Sequence, residues 1–333
     1  MGIIMKAAID IGTNTVLLLI ANPSQPPLTS RGGVPPLGVR GGQGELAIIY
    51  DEVRITRLGE QLHTTGRFSE QAMQRTFSAL KEYKKICDEK KVSEIRAVGT
   101  AAFRKAENAV AFVQRVQKET GIKIKIISGE EEAALAYSSV KRDFGGEVMA
   151  LDIGGGSTEI ISETTSISFP LGCVELTEKF FKLDPVTREE VERVYKMIDN
   201  ILNKNVGATP CGCPNKEGGH GDPPLQHLIA LAGTATTLSA INQKMKTWDP
   251  KKIQGSVIKK EALEKIIRTL VSKTVEERKK IIGMVPERSD LLLSGAMILQ
   301  KVMERLGVDK VTVSDRGVRY GLLYAPSLAS PSL

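Results

Sequence analysis

Apolar positions along this chain switch repeatedly between a period of two and a period of three to four. That alternation is the pattern of strands interleaved with helices. Residues 3–9 and 16–21 read as strands on either side of a Gly-Thr-Asn-Thr turn, and 46–58 continues in strand fashion. From Ser69 to about residue 90, Met73, Phe77, Leu80 and Cys87 share one helical face, with Ser69 as the N-cap. A strand at 95–98, a helix at 108–120 and a strand at 122–127 follow, and SGEEEAALAYSSV then opens another helix. Strands are expected at 148–153 and 159–162, and amphipathic helices at 188–203, 261–272, 275–282 and 291–306. Strands alternating with helices imply an α/β fold with substantial parallel sheet.

Two stretches have no period. Residues 22–44 and 206–224 are rich in Pro and Gly and read as irregular insertions. The second holds Cys211, Cys213 and His220 close to His227, but C-x-C with widely spaced histidines is a poor zinc pattern.

Composition narrows the class. The chain has 333 residues, 41% of them hydrophobic and 26% charged, enough for a filled core. Its formal charge of +7 suits an anionic ligand, yet no Lys/Arg run is interleaved with aromatics, so no nucleic-acid partner is expected. Four cysteines make no disulfide framework, the run VLLLIA is too short to span a bilayer, and no basic-then-apolar leader opens the chain. A cytoplasmic protein without a membrane partner is the expectation.

Chemistry concentrates at a repeat. AAIDIGTNT, ending at Thr15, and ALDIGGGSTEI, ending at Ile160, each place an Asp at the end of a buried strand before a glycine turn. Without Cβ atoms, the backbone amides of such a turn can approach an oxyanion closely. Thr13, Asn14 and Thr15 in the first copy, and Gly154, Gly155, Gly156, Ser157 and Thr158 in the second, are the candidate phosphate contacts. Asp152 and the following acid, Glu159, are left to hold a divalent cation. GTAAFRKAEN puts Arg104 near a helix start, where a guanidinium can fork onto phosphate. Ser128 and Glu131 form an S-x-x-E capping box, and from spacing alone Glu131 is a cap rather than a catalyst. LAGTATTLSAI is a third strand-Gly-Thr-helix junction whose role spacing leaves open. No P-loop, no nucleophile elbow and no His-Asp pair occurs.

AAIDIGTNTVLLLIA, AVGTAAFRKAENA, IISGEEEAALAY, LDIGGGSTEI, FPLGCVELTEKF, LAGTATTLSAI, PERSDLLLSGAMIL and VSDRGVRYGLL, taken in order, resemble the exopolyphosphatase/guanosine pentaphosphate phosphohydrolase family. The resemblance implies the two-lobed, duplicated α/β fold of actin, sugar kinases and heat-shock ATPases (ribonuclease H-like), with a central interlobe cleft. It places a first lobe at 1–126, a second at 127–315, and a final helix from about 316 to 333 packing back on the first. It implies hydrolysis of terminal phosphoanhydrides, from polyphosphate or guanosine pentaphosphate, with Mg²⁺, and polyphosphate or guanosine penta- or tetraphosphate as the ligand. By motif it makes Glu131 the acid that positions water, with Glu130 and Glu132 as competitors. Asp152 and Glu159 become catalytic and metal-holding carboxylates, and Arg104 a phosphate ligand. A homodimer is also implied. Gln61 stands where the family commonly has Gly, so the local backbone is expected to differ there, and the short C-terminus puts processivity on long polyphosphate in doubt. The rival readings are an ATP-dependent kinase of the same fold and a non-catalytic alarmone sensor.

Overall fold

The computed structural model describes residues 4–22, 46–204 and 227–325. Both aperiodic stretches, with Cys211, Cys213 and His220, therefore lie essentially outside the described residues. The chain divides into two compact units, Met1–Gly146 with Gly317–Leu333, and Glu147–Arg316.

Unit 1 begins with the hairpin β1 (Lys6–Ile11) and β2 (Thr15–Asn22), followed by β3 (Ala47–Ile55). Next come α1 (Leu62–Thr65), α2 (Glu70–Glu89), β4 (Glu94–Gly99), α3 (Ala101–Lys105), α4 (Ala109–Thr120), β5 (Ile124–Ile126) and α5 (Gly129–Phe144). The sheet order is β3-β2-β1-β4-β5. The first three strands form an antiparallel meander, while β4 and β5 run parallel to β1 and need α2 and α4 as crossovers. Ile9, Ile11, Val16, Leu18 and Ile20 are wholly buried, and Phe77, Leu80 and Tyr83 of α2 pack with them in one core. As expected, the Ser69 hydroxyl caps α2 by accepting from the amide of Ala72.

Unit 2 contains β6 (Val148–Ile153), β7 (Thr158–Ile161), β8 (Ser166–Phe169), α6 (Cys173–Phe180) and α7 (Arg188–Lys204). After the undescribed stretch come β9 (His227–Leu231), α8 (Ala232–Asn242), α9 (Pro250–Ile253), β10 (Val257–Lys259), α10 (Lys260–Val271), α11 (Val275–Lys279), α12 (Leu292–Leu306) and β11 (Lys310–Val313). The order β8-β7-β6-β9-β11 repeats that of unit 1, with the same antiparallel and parallel senses, and β10 extends the far edge. Leu293, Met297, Ile298 and Leu299 make α12 the buried spine of this core.

Finally, α13 (Val318–Tyr324) belongs to unit 1, where it packs on α5 and β1. The division after residue 126 is corrected: α5 stays with unit 1, because the buried face of α13 covers it, and the boundary falls after Gly146. Among the described residues no helix is long and apolar enough to cross a membrane.

At Gln61 the backbone is left-handed, with φ 57° and ψ 7° at the start of α1. A side chain in this region costs about 1 kcal/mol that glycine avoids. Gln61→Gly is therefore expected to raise the denaturant midpoint, by about 1 kcal/mol of stability; a lower midpoint would refute the strain.

Candidate active site

The two hairpins are built alike. The amide of Gly12 donates to the carbonyl of Thr15 at 2.8 Å, and that of Gly154 to Ser157 at 2.9 Å. Asp10 pairs in register with Leu17, Asp152 with Glu159. The duplication extends to the next strands. Thr100, after β4, reaches the carbonyl of Ile11 at 3.4 Å, and Thr234, after β9, reaches that of Ile153 at the same distance. LAGTATTLSAI is thus the second copy of the VGTAA junction, and the space a Cβ on its Gly233 would take is filled by the Arg288 guanidinium.

In unit 1 the turn is held from below. The carbonyl of Thr13 accepts from Gly59, and that of Asn14 from Thr56 and Arg57. A Cβ on Gly59 would lie 2.3 Å from the Thr13 methyl, so only glycine lets this segment support the turn. The amides of Thr13 and Asn14 donate to no group among the described residues, and the Asn14 Oδ1 is buried without a partner there. The two amides are unsatisfied donors of the kind that take an anion, whereas the Asn14 Oδ1, an acceptor, calls for a donor such as water.

Arg104 is placed by an aromatic knot. Phe103 is buried between Phe68 and Phe112, with ring centroids 5.3 and 6.2 Å away. Gly99 leaves room for that ring, since a Cβ would lie 2.7 Å from it. With Phe103 locked inward, Arg104 turns out and bonds the Ile127 carbonyl at 2.9 Å and the Glu132 Oε2 at 2.8 Å.

The three adjacent glutamates part company here. Glu131 closes the capping box: its Oε2 accepts from the Ser128 amide at 2.9 Å, and its Oε1 from Lys125 at 2.8 Å. Lys125 and that amide hold its carboxyl below the usual carboxylate range. Glu130 is exposed. Glu132 alone turns inward, its side chain 14% exposed against 45% for Glu131. Burial raises its pKa in spite of Arg104 and a hydrogen bond from Thr100. The candidate acid therefore moves from Glu131 to Glu132. The available signal was the capping box itself, which commits its third residue to the helix end.

Asp10 lies in the same neighbourhood. Burial first and the Glu132 charge second raise its pKa to about 7, against the pull of Arg319. The folded state thus holds this proton more tightly than the unfolded chain, whose value is 3.8. The resulting stabilisation, complete below about pH 4, is lost as pH rises through about 7. Melting of the wild type should show that decline, and Asp10→Asn should remove it; equal slopes would contradict the assignment.

In unit 2 the glycine run serves packing first. The amides of Cys173 and Val174, at the start of α6, donate to the carbonyls of Gly154 and Gly155, each at 3.0 Å. A Cβ on Gly172 would lie 2.1 Å from the Gly155 oxygen, so two backbones touch. With those carbonyls committed to α6, the amides of Gly155 and Ser157 donate to nothing among the described residues. Thr158 is a correction among the candidate phosphate contacts: it is wholly buried, and its hydroxyl donates to the Leu171 carbonyl. Asp152 and Glu159 are cross-strand partners and so point to one face of the sheet. Glu159 is 3% exposed and accepts from Ser168 at 2.8 Å. Like charges in this arrangement repel unless a cation or proton lies with them. No group of three or more His, Cys, Asp or Glu that could hold a metal occurs among the described residues.

Residues 39–329 match the model of the Ppx/GppA phosphatase family. The chain belongs to that family. Exopolyphosphatase 2 of Mycobacterium tuberculosis is 30% identical across 97% of this chain and 98% of its own length. The crystal structure of the Aquifex aeolicus Ppx/GppA member, at 35% identity, superposes with a TM-score of 0.73 over 97% of both chains. An exopolyphosphatase structure from Cytophaga hutchinsonii is 26% identical, with a TM-score of 0.78 over 96% of both. The duplicated α/β fold expected from the resemblance is present, and the repeated sheet orders are its internal signature.

Proposed function

We propose that this Ppx/GppA phosphatase removes the terminal phosphate of inorganic polyphosphate by attack of water on the end phosphorus. Water adds across the last P–O–P link, one inorganic phosphate leaves, and the chain shortens by one unit. The observation that carries this reading is the half-buried Glu132 carboxylate, held 2.8 Å from Arg104 and hydrogen-bonded by Thr100.

Glu132 aligns the attacking water and takes its proton, and its raised pKa brings it closer to the working pH, as a base requires. Arg104 holds a phosphate oxygen as the loose transition state forms. Within unit 2, the amides of Gly155 and Ser157 are donors without partners among the described residues. Asp152 and Glu159 would hold Mg²⁺, which takes one or two carboxylates and leaves its other positions to phosphate and water. Their opposed positions on one sheet face fit that role. When bound, the ion neutralises phosphate oxygens and lowers the cost of charge build-up.

A kinase would need an acceptor, and a pure sensor would gain nothing from Glu132, Asp152 and Glu159. Guanosine pentaphosphate carries the same anhydride end and is the second substrate to test. The experiment is phosphate release on short polyphosphate, long polyphosphate and guanosine pentaphosphate in parallel, with and without Mg²⁺. Mg²⁺-dependent release from short polyphosphate without any acceptor is expected. Silence on all three, or release only with an acceptor present, overturns the proposal.

A further inference from the structure

The two acid–glycine hairpins are held in place by different means. In unit 2 the carbonyls of Gly154 and Gly155 accept from the first amides of α6, a regular helix. In unit 1 the carbonyls of Thr13 and Asn14 accept instead from residues 56–59, which lie between β3 and α1 in no regular structure. That segment is strained. Arg57 and Gln61 are both left-handed, with φ of 52° and 57°, a region that is costly for any residue with a Cβ. Such conformations persist only where the surroundings over-determine them.

One side chain acts as the brace. Arg75, near the start of α2, donates from Nε to the Thr56 carbonyl at 2.9 Å, and its Nη2 lies 2.7 Å from the Glu60 Oε1. Its guanidinium therefore bridges Thr56 and Glu60. The amides that hold the turn lie within that span: Thr56 and Arg57 donate to the Asn14 carbonyl, each at 3.0 Å, and Gly59 to the Thr13 carbonyl at 2.8 Å. Between them, Leu58 is wholly buried and joins the segment to the core. The Arg75 and Glu60 side chains are 42% and 32% exposed, so the pair adds little to global stability. Its consequence is local. The Thr13 carbonyl and the Asn14 N–H belong to one planar trans peptide and point opposite ways. Whatever fixes Gly59 against that carbonyl thus aims the Asn14 amide, one of the two left without a partner among the described residues.

We propose that Arg75 is a positioning residue for phosphate binding: by bridging Thr56 and Glu60 it holds the strained segment that aims the Asn14 N–H at a phosphate oxygen. The proposal rests on the hydrolytic reading above, with the unsatisfied amides of the turn as anion donors.

The test follows binding and turnover separately on the full chain. Metal-free tripolyphosphate is titrated into protein labelled with ¹⁵N-asparagine, the Asn14 amide signal being assigned by its loss in Asn14→Ser. That signal should move in wild type; a signal that stays put overturns the proposal. In Arg75→Gln the titration midpoint and the KM for short polyphosphate should each rise about tenfold, the loss expected for one charge-assisted bond. The fall in kcat should be smaller. Arg75→Lys keeps a charge beside Glu60 without the fork, so both values should rise only about threefold. Adding Gln61→Gly to Arg75→Gln relieves strain in the segment and should recover part of the affinity; no recovery overturns the proposal. An unmoved KM in folded Arg75→Gln, or a loss confined to kcat, also overturns it. If Arg75→Gln does not fold, Arg75→Lys carries the test, and no rise there overturns the brace. Weakened tripolyphosphate binding in a protein that releases no phosphate keeps the brace and sinks hydrolysis. Normal release with unweakened binding does the reverse.

Discussion

Glu132→Gln lowers kcat for phosphate release at least about a hundredfold, the usual cost of losing a positioned base. KM should stay level or fall. Arg104 now shares its guanidinium with Glu132 at 2.8 Å, and a neutral amide there would leave more of it for phosphate. Glu131→Gln should behave in the opposite way. It keeps the capping box, since a Gln oxygen also accepts from the Ser128 amide, loses the charge of the Lys125 pair at roughly a few tenths of a kcal/mol of stability, and leaves kcat within a few-fold. Steady-state kinetics and melting of the two variants side by side separate the roles. A dead Glu131→Gln with an active Glu132→Gln would return the acid to the position that motif alignment selects.

Gly172→Ala should be as severe, through structure. The added Cβ meets the carbonyl oxygen and carbon of Gly155 and the Cα of Gly156 at 2.1 to 2.4 Å. All three are backbone atoms, so no rotamer change relieves the overlap. Either α6 lifts from the loop, losing the bonds from Cys173 and Val174, or the glycine run moves and takes the amides of Gly155 and Ser157 with it. Overpacking of this kind costs about 3 kcal/mol, occasionally more. Phosphate release should fall at least about tenfold in any protein that remains folded, since misplaced amides forfeit transition-state stabilisation. Unchanged melting and turnover would mean that the loop is not packed on α6. Gly145→Ala is the comparison for backbone strain without a clash, as a Cβ there meets nothing within 4 Å although its φ is +62°.

Much of this was legible along the chain. The helix at Ser69, the capping box at Ser128 and the strand pairs around both acid–glycine turns follow from period, cap chemistry and glycine placement, all of which act within a few residues. Local interactions of that range are written in local sequence. The repeat of Asp10 and Asp152 was visible too, and with it the duplication of the fold.

Three matters required the folded chain. That Glu132 meets Arg104 depends on where α3 lies beside the start of α5, which the residues next to Glu132 in sequence do not set. Whether the Thr158 hydroxyl meets a ligand or the Leu171 carbonyl depends on a loop thirteen residues away. Where unit 1 ends depends on α13, which leaves unit 2 and packs on α5 through a glycine narrow enough for two backbones to touch. Period and motif record what a residue can do with its neighbours in sequence. Burial, and the charges that burial strengthens, are set by neighbours in space, and those are known only once distant segments have packed.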